Sequence, residues 1–126
     1  MLIIQSIVNI SEVNFYIMSS IIKLRGKGVS RIINSKVMLS PLAGVTDKIF
    51  RKLVRKWAPE SLLFTEMINA TSLKHGYGTQ KIKQLELEKG PIGVQIFDNR
   101  PFAVSEAAKL AEDSGAFLID INMGCP

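Results

Sequence analysis

The chain of 126 residues has one cysteine, one histidine and one tryptophan. A single thiol excludes any disulfide within the chain, and Cys125 with His75 is too small a ligand set for a structural zinc site. No metal is therefore expected, and with no dependence on an oxidising compartment the expected location is cytoplasmic. Long hydrophobic runs are missing too. The segment from Met1 to Ile22 is rich in Ile, Val and Phe, but Gln5, Asn9, Glu12 and Asn14 interrupt it before the roughly 18 apolar residues of a membrane span accumulate. A basic leader followed by a small-residue cleavage site is also lacking, so neither membrane insertion nor export is read here.

What remains is the composition of a globular domain: 47% hydrophobic and 21% charged residues place the chain far from disordered or fibrous classes. The net charge of +5 is uneven, with five basic and one acidic residue up to Lys36, five and two from Val37 to Glu60, and six and eight thereafter. A basic first half permits an anionic partner such as nucleic acid. Residues 1–36 read as an N-terminal extension, with the basic, turn-rich stretch Lys23 to Ser35 leading into the first strand. Translation starting at Met18 would remove everything before it; natural peptides from upstream of Met18 would reject that idea.

From Val37 the pattern becomes regular. Val37 to Pro41, Leu62 to Met67, Ile92 to Phe97 and Phe117 to Asn122 are short, nearly continuous apolar runs, the signature of strands in a parallel sheet covered on both faces. Between the first two, Thr46 can cap a helix whose apolar face is Ile49, Phe50, Leu53, Val54 and Trp57 and which Pro59 ends. Before the fourth, Asp98 or Asn99 can cap a helix with Pro101 in its first turn, Val104, Ala107, Ala108 and Ala111 on one face, and Gly115 as its stop. A strand every 25 to 30 residues or so is the βα repeat.

Two parallel architectures compete, a doubly wound sheet and a (β/α)8 TIM barrel. The turn after the first strand, Pro41-Leu42-Ala43-Gly44-Val45-Thr46, is no dinucleotide-binding glycine motif. A barrel takes about 250 residues, so residues 37–126 are expected to be its first four βα units, truncated after the fourth strand. Open strand edges in such a half-barrel predict marginal folding or self-association.

In barrels the chemistry sits at the C-terminal ends of the strands. Pro41, Glu66, Gln95 and Asn122 lie there, and Gln95 and Asn122 are polar interruptions of apolar strands. A buried amide needs hydrogen-bond partners, supplied either by loop backbone or by a planar heterocyclic ligand. Cys125 is either a small buried hydrophobe or a general acid, since an unperturbed thiol with a pKa near ~8.5 is mostly protonated at neutral pH. Lys48, Arg51, Lys52, Arg55 and Lys56 make a basic face on the first helix, either simply solvated or set against phosphates. Lys74-His75-Gly76-Tyr77-Gly78 offers an aromatic and a cation in a loop that either contacts an extruded nucleotide or is merely exposed.

Five blocks carry a family resemblance: Ser40-Pro41-Leu42-Ala43-Gly44-Val45-Thr46-Asp47, Phe50-Arg51, Thr65-Glu66-Met67, Val94-Gln95-Ile96-Phe97, and Asp120-Ile121-Asn122-Met123-Gly124-Cys125-Pro126. In order and spacing, residues 37–126 resemble the tRNA-dihydrouridine synthases. The resemblance implies an FMN-dependent oxidoreductase that reduces the C5–C6 bond of particular uridines in tRNA, with NADPH or NADH as reductant. It implies that Pro41, Leu42 and Ala43 lie against the flavin, with Leu42 where the family has Met, and that Gln95 hydrogen-bonds the flavin ring. Asn122 would lie near flavin and uracil, and Cys125 would protonate C5 while hydride reaches C6. The family's later lysine and histidine, its phosphate-gripping loops and its helical tRNA-binding domain have no counterpart in these residues. The parent protein is therefore expected to be active, and this piece alone to bind FMN poorly. Two other functions compete. One is an FMN barrel of the dihydroorotate or dihydropyrimidine dehydrogenase kind, and the other is a non-catalytic RNA-binding fragment.

Overall fold

The computed structural model describes residues 3–5, 22–26, 29–33, 35–76 and 78–124. In chain order these form β1 (Ile3–Gln5), β2 (Ile22–Gly26), β3 (Val29–Ile33), β4 (Met38–Leu39), α1 (Lys48–Trp57), β5 (Leu62–Phe64), β6 (Ile68–Asn69), α2 (Ala70–Lys74), α3 (Thr79–Lys83), a 3-10 turn (Gln84–Leu87), β7 (Ile92–Phe97), α4 (Pro101–Asp113) and β8 (Leu118–Ile121). One parallel sheet runs β1-β8-β7-β5-β4, and β6 pairs with β7 beyond the end of β5. The four expected strands, β4, β5, β7 and β8, are neighbours in that sequence, the order that the first four strands of a barrel have. The fold is thus parallel α/β, as a partial TIM barrel requires.

The two sheet faces differ sharply in chemistry. Leu63, Ile92, Val94, Ile96 and Ile119 point toward the helices and pack with Ala107, Ala108 and Ala111 of α4. Alanines on the inner stripe let the helix backbone approach the sheet closely. By strand alternation Leu62, Phe64, Gly93, Gln95, Leu118 and Asp120 face the other way. Phe64 lies over Gly93, where an added Cβ would sit 2.5 Å from the ring. At the lower end of this face Ile33 packs with Leu62 and Leu118.

Several elements differ from the sequence expectation. The first helix is capped by Asp47, whose Oδ1 accepts from Phe50 N at 2.8 Å, because Thr46 is fully buried with its hydroxyl on the backbone of Leu42. The expected apolar face of α1 is largely outside: Ile49 is 79% and Trp57 86% exposed, and Leu53 is exposed as well. Arginines occupy the inward side instead. Arg51 is buried, donating from Nε to Glu88 Oε2 at 3.0 Å, from Nη1 to Thr46 O at 2.7 Å and from Nη2 to Glu88 Oε1. Arg55 donates to the carbonyls of Ala58, Pro59, Ser61 and Pro91, and its burial draws its pKa below the ordinary value. Two of the five cations expected to face outward are therefore spent inside the fold.

The fourth helix is preceded by Arg100 at its N-cap, with no side-chain cap, and Pro101 opens it. The expected stretch Leu62 to Met67 divides in two, since residues 65–67 leave the ladder before β6 resumes it. Thr65 repairs the gap: its Oγ1 accepts from Gln95 N at 3.3 Å and donates to Glu66 O at 2.8 Å. The turn-rich lead-in is an antiparallel hairpin, β2 with β3, consistent with its β-branched Val29, Ile32 and Ile33. The edge of β8, expected to be open, is paired by β1 in parallel, Ile3 opposite Ile119. Met18 and the residues around it lie outside the described residues.

The Arg51–Glu88 pair predicts a strong single-variant effect, because removing one partner leaves a desolvated charge. Glu88→Ala should lower unfolding free energy in denaturant titration by about 3–5 kcal/mol. The double variant Arg51→Met with Glu88→Leu should lose less than Glu88→Ala alone.

Candidate active site at the C-terminal edge of the sheet

The C-terminal strand ends carry a continuous rim of polar groups. Gln95 on β7 stands opposite Asp120 on β8, and its Nε2 donates to Asp120 Oδ2 at 2.6 Å. This partner is neither loop backbone nor ligand, the two that sequence reasoning offered. One residue beyond β8, Asn122 accepts from Gly124 N at 2.9 Å through Oδ1, and its Nδ2 lies 3.9 Å from Met67 Sδ. Asn122 thus satisfies its carbonyl on loop backbone. Cys125 lies outside the described residues, as does Tyr77.

Pro41, Leu42 and Ala43 follow β4 at the far side of the same edge. They form a tightly pinned turn: Leu42 O accepts from Val45 N, Thr46 N and Thr46 Oγ1, and Leu42 N donates to Thr46 Oγ1 at 3.0 Å. Gly44, at φ +73°, turns its N–H onto Glu66 Oε1 at 2.7 Å. Lys81 of α3 donates to the other carboxylate oxygen of Glu66 at 2.9 Å. Leu42 and Ala43 themselves are exposed and Pro41 half-buried, so the turn offers an apolar surface on a rigid backbone. The turn reaches the strand that carries Gln95 through the segment after β5: Gly44 N–H meets Glu66, and the neighbouring Thr65 Oγ1 accepts from Gln95 N.

A cleft of about 560 Å³ opens at the ends of β6, β7 and β8, lined by Asn69, Phe97, Asp98, Asn99, Arg100, Asn122 and Met123. Asp98 accepts from Arg100 N and Nε, each at 3.0 Å, from Thr71 N at 3.0 Å and from Thr71 Oγ1 at 2.6 Å. The Arg100 guanidinium, then the Thr71 hydroxyl, hold the Asp98 carboxyl far below the usual carboxylate range, and Asp98 in turn raises Arg100. His75, at the end of α2, is exposed. Among the described residues no three His, Cys, Asp or Glu side chains gather to hold a metal ion, and no helix is long and apolar enough to cross a membrane.

Sequence reasoning missed Asp120, Lys81 and the Thr71–Asp98–Arg100 cluster as parts of the rim. Asp120 carried a usable signal, an acid inside the apolar run Leu118-Ile119-Asp120-Ile121. Lys81 and Thr71 carried none, because their roles depend on which loops meet.

A parallel α/β sheet with polar residues at the strands' C-terminal ends has the arrangement in which barrel folds carry their ligand sites. The chain belongs to the dihydrouridine synthase (Dus) family, whose model matches residues 38–126. It is 45% identical over 97 residues to a Synechocystis sp. protein named "Probable tRNA-dihydrouridine synthase 1", covering 77% of this chain and 27% of that protein. It is likewise 45% identical over 94 residues to "tRNA-dihydrouridine synthase B" of Xanthomonas campestris, covering 72% of this chain and 27% of the relative. Against the "Probable tRNA-dihydrouridine synthase" of Rickettsia bellii the identity is 36% over 96 residues, covering 75% and 29%. The matched region thus spans under a third of these relatives' length.

The Glu66 latch predicts an acid-sensitive element. Hydrogen bonding from Lys81 first, and from Gly44 N–H next, lowers the Glu66 pKa. Stabilisation from a lowered acid is complete above the unfolded value of about 4.3 and is lost as pH falls through the lower folded value. Denaturant midpoints followed downward from about pH 5 should fall more steeply in wild type than in Glu66→Gln. Equal slopes would contradict the latch.

Proposed function

We propose that the protein containing this chain is a tRNA-dihydrouridine synthase, an FMN-dependent oxidoreductase that reduces the C5–C6 bond of particular uridines in tRNA. The observation that carries this reading is the family match across residues 38–126. Bound FMN, recharged by NADPH or NADH, would supply the hydride.

The residues present suit a flat heterocycle with a hydrogen-bonding edge. The pinned turn of Pro41, Leu42 and Ala43 offers apolar atoms and immobile backbone for one face of a ring, with little ordering left to do on binding. Gln95 has its donor end committed to Asp120 and its Oε1 left to accept. Asn122 sits one residue past the neighbouring strand, within the cleft that would admit the base. Cys125, three residues further along, is the proton donor in this reading. Its thiol would deliver a proton to C5 as hydride reaches C6, so that no carbanion persists. The cleft's amide groups suit a polar base, and tRNA is the substrate of this reading. We place the activity in the cytoplasm and assign residues 37–126 to the first half of the catalytic barrel.

The test is the visible spectrum of the natural protein that carries this chain, before and after NADPH and then unmodified tRNA. Flavin bands should bleach with NADPH and recover with tRNA, recovery slowing by about 10²–10⁴-fold in Cys125→Ala, the usual worth of a general acid. A protein that neither holds nor takes up FMN would overturn the reading.

A further inference from the structure

We propose that Asp120 is a positioning residue that fixes the Gln95 carboxamide with its oxygen outward. The site would therefore accept a ring N–H flanked by carbonyls and disfavour a bare carbonyl at that point. The inference rests on the flavin reading above and names which edge of the ring Gln95 meets: the imide N–H of the isoalloxazine.

A carboxamide is nearly symmetric in shape, with a donor and an acceptor related by a half-turn of its terminal bond. Left alone at a strand end, Gln95 could present either. Its freedom is removed by the neighbouring strand, since the register sets Gln95 directly opposite Asp120 and the contact measures 2.6 Å. A carboxylate only accepts, so the NH2 group must turn toward Asp120. The backbone N–H of Gln95 is held by Thr65 Oγ1, which anchors the residue from the other side. Below, the Phe64 ring fills the space over Gly93, two residues back on the same face of the strand. With the NH2 group turned to Asp120, the atom on the amide's other side is Oε1, an acceptor. A ligand bringing a carbonyl there would set two oxygens against each other, and a ligand bringing N–H gains a hydrogen bond in a half-buried place.

The experiment exchanges the two ends of the pair. Gln95→Glu alone opposes two carboxylates and should weaken FMN binding by about 10–100-fold, the usual cost of an unpaired polar group near the interior. Gln95→Glu combined with Asp120→Asn restores a donor facing an acceptor across the strands while keeping an oxygen outward, and should recover most of the lost affinity. Affinity is read by quenching of FMN fluorescence in the natural protein without RNA, which confines the readout to flavin. A double variant no better than Gln95→Glu alone would overturn the inference, because it would mean that the outward atom must be a donor. In the same natural protein, the Gln95 side-chain amide protons should exchange slowly with solvent and should shift on Asp120→Asn. Free exchange with no shift would also overturn it. Should wild type bind no FMN while those protons remain protected, the flavin reading fails and the orientation by Asp120 stands.

Discussion

The site depends on the register between β7 and β8. Pairing of Gly93 with Leu118 and of Gln95 with Asp120 divides each strand into a helix-facing and an inward-facing set. Val94, Ile96 and Ile119 are drawn to α4 by burial of apolar surface, and that same attraction forces the alternate residues inward. A slip of one residue would bury Gln95 and Asp120 against alanines and expose the core set. The hydrophobic effect thus places the polar pair without acting on it directly. The polar groups then settle their own geometry through a charge-assisted hydrogen bond in partly desolvated surroundings.

A second constraint is the stiffness of the loops that follow the strands. The turn after β4 is tied to itself through Thr46 and to the segment after β5 through Gly44 and Glu66, while Arg51 bridges Thr46 O and Glu88. The Arg51 bond to Thr46 O is buried and the Thr46 ties are half-buried, while Gly44 meets Glu66 at the exposed end of the turn. Such ties add little net stability over apolar packing, yet they specify one arrangement, because any other leaves a desolvated charge or N–H unpaired. A turn specified in this way is suited to receive a flat ligand at small entropic cost.

Much of the fold was legible because strands buried on both faces announce themselves by continuous apolar runs, and Val94, Ile96, Leu63 and Ile119 behave as that rule says. The α4 stripe of Ala107, Ala108 and Ala111, and the stop at Gly115 with φ +87°, followed from helical spacing and left-handed geometry. The first helix misled because its periodicity defines two faces without saying which is inside. The choice is made by Glu88, 37 positions from Arg51, and by the loop carbonyls that Arg55 donates to, Ser61 O among them. Thr46 misled for a similar reason: its hydroxyl serves the turn behind it, leaving Asp47 to cap. At the site, Gln95 and Asn122 stood out as amides in apolar strands. Asn122 meets loop backbone, one of the two partners its position suggests, whereas Asp120 as the partner of Gln95 was hidden, because a cross-strand contact requires the register. The division of Leu62 to Met67 was equally hidden, since it depends on Thr65 meeting β7.

Assignment to the dihydrouridine synthase family stands on the match of residues 38–126, and the site at the strand ends is where that family's chemistry would be placed by the fold. The measurement that tests this account most directly is mass spectrometry of unmodified tRNA incubated with the natural protein, FMN and NADPH. The account predicts a gain of two hydrogens at defined uridines, lost when NADPH is omitted. Unaltered tRNA from a protein that holds its flavin and oxidises NADPH would contradict it.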